Sequence, residues 1–232
     1  MLILIVLLGW IVGWLTHWAA GYLPRLSSNY KGPAIKLALP SLPATLLALQ
    51  GPRAWKTLRQ RDRWFGLYVG AELLSAFMFG GLWLALGSCR EMVLYTGSYS
   101  FLLLVAIIDL KYRLVLNVLI YPAALVVVLT TQSTLTLMLG GFLACGVFAL
   151  TALIKPGDIG GGDVKLATLI GFAFGFPQVL WALMIGIGSG GIVAVFLLLT
   201  RRGNRQTRIA YAPFLCLGAM VALLFNPFNS LM

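Results

Sequence analysis

Apolar runs, each about the length of one membrane crossing, recur along the whole chain. A spanning α-helix needs roughly 20 predominantly apolar residues, and the runs and their breakers predict about eight such helices. They lie near 2–22, 66–86, 97–110, 116–131, 135–154, 164–178, 179–200 and 210–229. The third and sixth are short for a full crossing. Because 164–200 also fits one span plus a re-entrant piece that turns at Pro177, six spans is the alternative count.

Composition excludes the soluble classes of protein. Of the 232 residues 60% are hydrophobic and only 10% are charged, whereas an ordinary soluble domain carries about 25% charged residues. A soluble enzyme, a disordered chain and a secreted disulfide scaffold are therefore excluded. The sequence predicts an all-α polytopic integral membrane protein, with residues 1–232 as a single membrane domain. Since the opening run has no basic start and no clear cleavage site, we expect a retained span rather than a signal peptide.

The placement of charge predicts the orientation. If residue 1 lies outside, all but Arg90 of the 17 Lys and Arg residues fall in cytoplasmic segments, as the positive-inside rule requires. Those segments are 23–65, 111–115, 155–165 and 201–209. Both termini are then extracytoplasmic.

In this setting the net charge of +11 does not indicate a nucleic-acid partner. We expect the basic loop 23–65 to lie along the cytoplasmic membrane surface, against anionic lipid, and a loosely attached loop is the alternative.

Metal ligands and thiol pairs are scarce. Cys89, Cys145 and Cys216 are isolated and form no CxxC pair, and His17 is the single histidine. The sequence therefore predicts no metal site. Because His17 lies within the first span, we expect it to form a hydrogen bond with a neighbouring helix.

Two of the six acidic residues form a candidate catalytic pair. Asp109 ends the apolar run that starts at Phe101, and Asp163 opens an apolar helix. The predicted topology places both at the cytoplasmic ends of different spans. Two carboxylates brought close cannot both ionise cheaply, so one tends to hold a shared proton. The ionised partner can then take a proton from water while the protonated partner polarises a carbonyl, which is the equipment for peptide-bond hydrolysis.

Each acid also has a structural interpretation. Asp109 is consistent with an interfacial acid that Lys111 or Arg113 neutralises. Three glycines, Gly160, Gly161 and Gly162, precede Asp163. They are consistent with a flexible turn before an acid that favours the helix dipole, or with a backbone that another segment approaches closely.

Three further residues are secondary candidates. Asp158 lies in the same glycine-rich loop and is more typical of a solvated charge. Glu72 lies inside the second span, where an isolated charge is costly, so we expect it to be protonated or paired, in a structural or a functional contact. Lys165 either extends to the membrane surface or biases the nearby acids.

These residues resemble the type IV prepilin peptidases, a family of intramembrane aspartyl proteases with a GxGD motif. The segment from Gly160 to Leu166 resembles the family's G-x-G-D-x-K-L, and 108–113 with Asn117 and Pro122 is similar to its first-aspartate segment. Residues 209–215 look like the closing helix, and 9–24 and the surroundings of Glu72 resemble the first two spans. The resemblance implies that Asp109 and Asp163 are the catalytic pair of a helix bundle over 66–232. Gly160, Gly161, Gly162 and Lys165 would bind substrate or support the loop.

The resemblance also implies a substrate and a location. The enzyme would cut the short basic leader of a prepilin or pseudopilin after a glycine, at the cytoplasmic face of a bacterial inner membrane. Many family members carry two CxxC pairs in the first loop and methylate the new terminus with S-adenosylmethionine. Because loop 23–65 has no cysteine, we expect a peptidase without a cofactor. Where the family commonly has proline, Leu116 stands before Asn117, so we expect a local change at the start of the fourth span.

Other functional classes remain as alternatives. A small proton-coupled transporter would need acids near mid-membrane on several spans, and only Glu72 is a candidate. A non-cleaving assembly partner would bind pilins with the same fold. Presenilin-like proteases share the GxGD motif but have a Tyr-Asp element, where this chain has Ile108 before Asp109. The sequence does not predict an oligomeric state.

Overall fold

The computed structural model describes residues 1–26, 42–51, 56, 60, 64–87, 90–130, 134–154, 160–200 and 210–225. Within these ranges every regular element is a helix, which confirms the predicted all-α polytopic membrane class. Asp158 and most of loop 23–65 lie outside the described residues.

In the described ranges eight helices of 13 or more residues lie, in order, where the apolar runs predict spans. The α-helices are α1 (Leu2–Tyr22), the short α2 (Ala44–Ala48), α3 (Phe65–Leu86), α4 (Arg90–Tyr112), α5 (Asn117–Thr130), α6 (Thr134–Ile154), α7 (Gly161–Phe174), α8 (Gln178–Leu199) and α9 (Ala212–Leu224). A 3-10 turn, Leu23–Leu26, follows α1. Within the described residues α1, α3, α4, α6 and α8 are long and apolar enough to cross a membrane. The exact number of spans stays a prediction.

Two predicted span lengths need correction. The third span was predicted as 97–110, but α4 begins at Arg90 and has 23 residues. Polar residues near the start of α4 interrupt the apolar pattern, so the sequence does not predict the first turns of this helix. One of these residues, Thr96, is hydrogen-bonded within the helix, because its Oγ1 atom donates to the Met92 carbonyl at 2.8 Å. Such bonds satisfy a hydroxyl inside an apolar helix. The sixth predicted span corresponds to α7, which is short, as expected, but ends at Phe174 rather than near 178. Gly175, with φ of 67°, terminates it two residues before Pro177.

The chain divides into two compact units, residues 1–104 and residues 105–232. In the first unit α1 packs along α3. A Cβ atom at Gly13 would lie 2.7 Å from the Glu72 Cα, and one at Gly9 would lie 2.6 Å from the Phe79 Cβ. Residue numbers therefore rise along α1 as they fall along α3, so the two helices are antiparallel.

The second unit contains the helix pairs α6 with α7 and α8 with α9. A Cβ atom at Gly140 would lie 2.5 Å from the Gly171 carbonyl oxygen, so α6 and α7 are in backbone contact at this point. Small residues allow this approach in membrane helices, where packing has to supply the association energy. The close contact fixes α7, which carries Asp163 at its start.

Candidate active site

Asp109 lies in the last turn of α4, within the second unit. Its side chain is 4% exposed, and the neighbouring Ile107 and Ile108 are 1% exposed. Among the described residues, the Asp109 Oδ2 atom has no hydrogen-bond partner. Most buried polar atoms in proteins are hydrogen-bonded, because an unpaired one is costly. A buried carboxylate oxygen in this state is typical of a group that acts on a ligand.

Asp163 is the third residue of α7. The Gly160 N–H donates to its Oδ2 atom at 3.2 Å, and a backbone hydrogen bond links the same carboxyl group to Ala212, the first residue of α9. The carboxyl group therefore lies at the amino-terminal ends of two helices, where the helix dipoles favour a negative charge. The hydrogen bond from Gly160 is the contact that the predicted helix-terminal role of Asp163 requires. The hydrogen bond to Ala212 of α9 was not predicted.

The structure brings the two predicted acids together. The carboxyl groups of Asp109 and Asp163 interact electrostatically, and Arg113 interacts with Asp109. The fully buried Cys216, on α9, interacts with both carboxyl groups. Sequence analysis missed Cys216 as a neighbour of the pair, because nothing in its isolated apolar context connects it with either acid. Two carboxyl groups that interact in this way, one buried and one half-buried, can divide the roles of proton acceptor and proton donor.

The three glycines before Asp163 differ in their surroundings. The Gly160 N–H binds Asp163, and a Cβ atom at Gly161 would meet nothing within 4 Å. A Cβ atom at Gly162 would lie 2.8 Å from the Val115 Cβ. Val115 belongs to the segment that joins α4 to α5. A glycine at 162 therefore lets this segment pack directly beside the start of α7.

Lys165 ties α7 to the start of α5. Its Nζ atom donates to the Asn117 Oδ1 atom at 2.9 Å and lies 5.8 Å from the centre of the Tyr121 ring. The side chain is exposed. This hydrogen bond joins the beginning of α7 to the first residue of α5, and the predicted role of Lys165 in substrate binding or loop support stays a prediction.

Glu72, in the first unit, is paired, as one of the two predicted options requires. It is 0% exposed and accepts bonds from the Ala44 N–H at 2.8 Å, the Thr45 N–H at 2.8 Å and the Thr45 hydroxyl at 2.7 Å. His17 Nδ1 lies 3.4 Å from Glu72 Oε1, and its ring stacks on Tyr68. His17 therefore lies beside α3, but among the described residues its Nδ1 atom does not form the predicted hydrogen bond. Asp158 lies outside the described residues.

Comparison with known proteins gives two findings. Residues 97–195, which include both Asp109 and Asp163, match the type IV leader peptidase family. The predicted family resemblance is confirmed. The chain is also similar to the prepilin leader peptidase/N-methyltransferase of Bacillus subtilis (strain 168), with 27% identity over 165 residues. The match covers 69% of this chain and 66% of the relative, so the chain spans just under two thirds of that protein's length. No solved structure matches significantly.

Proposed function

We propose that the protein is an aspartic endopeptidase of the membrane that removes the short basic leader of type IV prepilins or pseudopilins. The family match over 97–195 and the name of the relative support a leader peptidase. The observation that supports the aspartic assignment is that Asp109 and Asp163 lie near enough to interact electrostatically. The two side chains come from different helices of one unit, and one Asp109 oxygen has no partner among the described residues.

The proposed chemistry divides the work between the two carboxyl groups. The ionised group takes a proton from a water molecule, which attacks the scissile carbonyl. The protonated group donates a hydrogen bond to the carbonyl oxygen and stabilises the charge that develops there. Asp163 is the better candidate for the ionised role, because backbone hydrogen bonds and two helix termini stabilise its negative charge. Asp109, which is buried beside Ile107 and Ile108, is the better candidate for the protonated role.

The proposed site lies at the cytoplasmic face of a bacterial inner membrane. The distribution of Lys and Arg supports this orientation, since all but Arg90 fall in the predicted cytoplasmic segments. Prepilin-type proteins and membrane lipid are the proposed partners. A basic leader on the same side would reach the site without crossing the bilayer.

We propose hydrolysis without a metal or an organic cofactor. In the described part of the chain no group of three or more His, Cys, Asp or Glu side chains could hold a metal ion. The name of the relative includes N-methyltransferase, but loop 23–65 has no cysteine, so the proposal does not extend to methylation. Titration with S-adenosylmethionine tests this point, and micromolar binding would contradict it.

A cleavage assay tests the proposed function. Membranes that contain the protein are incubated with a prepilin-type substrate, and Asp109→Asn, Asp163→Asn and Asp158→Asn variants are compared at equal abundance. Asp158→Asn is the matched control, because it makes the same chemical change in the glycine-rich loop. We expect the first two variants to lose cleavage and the third to retain it. If Asp109→Asn or Asp163→Asn still cuts, the aspartic assignment is wrong. If the unaltered protein does not cut, the transporter or assembly-partner alternatives take its place.

A further inference from the structure

The segment 42–51, in the loop between α1 and α3, is hydrogen-bonded to both helices. The Trp10 Nε1–H of α1 donates to the Thr45 hydroxyl at 2.7 Å, and Thr45 in turn donates to Glu72 Oε2 of α3. Ala44, at the start of α2, is 3% exposed, and Pro43 is also buried. The segment is therefore packed against this helix pair rather than separated from it.

The contacts lie well inside the two candidate spans. At about 1.5 Å of rise per residue, Glu72 is about 10 Å from the start of α3 at Phe65, and Trp10 is about 18 Å from the end of α1 at Tyr22. Because α1 and α3 are antiparallel, those two helix ends lie on the same side of the pair. The hydrocarbon core of a bilayer is about 30 Å thick, so the segment reaches roughly a third of the way or more into it.

The buried Glu72 carboxylate accepts hydrogen bonds from backbone N–H groups that would otherwise be unpaired inside the membrane. Non-helical backbone at membrane depth is tolerated only where it is buried in protein or lines a water-filled cavity, because lipid offers its polar groups no hydrogen-bond partner. The N–H groups of Ala44 and Thr45, in the first turn of α2, cannot bond within the helix. Both donate to Glu72 at 2.8 Å. This role explains why a carboxylate occupies a position where an unpaired charge would be costly.

The other face of the segment is apolar. Leu42 is 63% exposed, Leu46 is 46% exposed and Leu49 is 80% exposed. The neighbouring surface of α3 at a similar depth is apolar as well, since Leu73 is 57% exposed and Leu74 is 46% exposed. A candidate span normally presents such a surface to lipid.

We propose that residues 42–51 form a re-entrant membrane segment, which Glu72 anchors and whose three leucines contact lipid acyl chains. The proposal replaces, for these residues, the expectation that the whole loop 23–65 lies along the membrane surface. It concerns the first unit alone and does not depend on the proposed peptidase activity.

Fluorescent labels at single cysteines test the insertion. Leu42→Cys, Leu46→Cys, Leu49→Cys and the reference Lys56→Cys are made in the full chain, with Cys89 and Cys145 replaced by alanine. Each variant is labelled with an environment-sensitive dye in lipid vesicles. Lys56 is an exposed residue of the same loop. We expect labels at 42, 46 and 49 to be quenched by brominated lipid and to be several-fold less sensitive to aqueous iodide than the label at 56.

Two results would overturn the insertion. A label at 49 as sensitive to iodide as the label at 56 would show that the segment lies in water. A label at 49 that neither quencher reaches would show that protein rather than lipid covers it, whether a second copy or another chain.

The anchor is tested in the Leu49→Cys background. Glu72→Gln keeps the size of the side chain but replaces one acceptor oxygen with a donor, so one N–H of α2 loses its partner. We expect the label at 49 to become several-fold more sensitive to iodide. Ser75→Ala, a buried polar change one turn further along α3, should leave it unchanged. A label on Leu84→Cys, an exposed position near the end of α3 in the first unit, is measured in a separate variant that keeps Leu49, and reports whether this unit remains folded. A folded Glu72→Gln variant with an unchanged label at 49 would contradict the role of Glu72.

Discussion

Gly162 offers a sharp test of the geometry around the proposed catalytic pair. In Gly162→Ala the new Cβ atom would lie 2.8 Å from the Val115 Cβ, whereas carbon atoms in contact are normally about 3.5–4.0 Å apart. The start of α7 or the segment 113–116 therefore has to shift by about 1 Å. Asp163 is the next residue in the chain, so the shift displaces its carboxyl group.

The expected effect is larger on catalysis than on stability. Overpacking costs about 1–3 kcal/mol, and alanine in a helix regains up to about 1 kcal/mol relative to glycine. Misplacing a reacting group by about 1 Å costs up to about 100-fold in rate. We expect prepilin cleavage by Gly162→Ala to slow by about 10- to 100-fold, which corresponds to about 1.4–2.7 kcal/mol in the activation barrier.

The assay is single-turnover cleavage in membranes, with two matched variants. Gly161→Ala makes the same change one residue earlier, where a Cβ atom would meet nothing within 4 Å, and should cleave faster than Gly162→Ala. Val115→Gly combined with Gly162→Ala removes the atoms that collide and should restore most of the activity. Normal cleavage by Gly162→Ala alone, or no recovery in the double variant, would refute the reasoning.

Three further predictions concern stability, measured by denaturant unfolding in detergent micelles. Lys165→Met and Asn117→Ala should be coupled by about 1 kcal/mol in a double-mutant cycle, because they share one charged hydrogen bond, and additive effects would show that the bond contributes nothing. Glu72→Gln should lower the free energy of unfolding by about 1–3 kcal/mol through an unsatisfied N–H of α2, and an unchanged value would contradict this. Gly140→Val should destabilise by about 3 kcal/mol or more, whereas Gly146→Val, in open space, should not, and equal effects would refute the close packing of α6 and α7.

The helices could be predicted from the sequence because the membrane imposes a simple rule. A span must be predominantly apolar, and that rule places a predicted span at each of the eight helices of 13 or more residues in the described part of the chain. It fails at the start of α4, where Thr96 lies just before the predicted span and interrupts the apolar pattern. Its hydroxyl group donates to the Met92 carbonyl oxygen of the same helix at 2.8 Å. A local bond that makes a polar residue acceptable in a span is not visible in a hydropathy pattern.

The candidate site was partly predictable for a similar reason. Asp109 and Asp163 stand out because acids are rare in this chain, and the predicted topology places them at the same face. The contacts of Glu72 with Ala44 and Thr45 could not be predicted, because they join residues 27–28 positions apart with no shared periodicity. Cys216 was missed because an isolated cysteine on an apolar helix is usually a packing residue.

The central claim is that Asp109 and Asp163 act as one catalytic unit. The most direct test compares cleavage rates of Asp109→Asn, Asp163→Asn and the variant with both changes, at equal abundance in membranes. Groups that act together are strongly non-additive, so the account predicts that each single variant loses nearly all activity and that the double variant loses no more. Single variants with partial activity, whose losses multiply in the double variant, would show two independent residues and contradict the account.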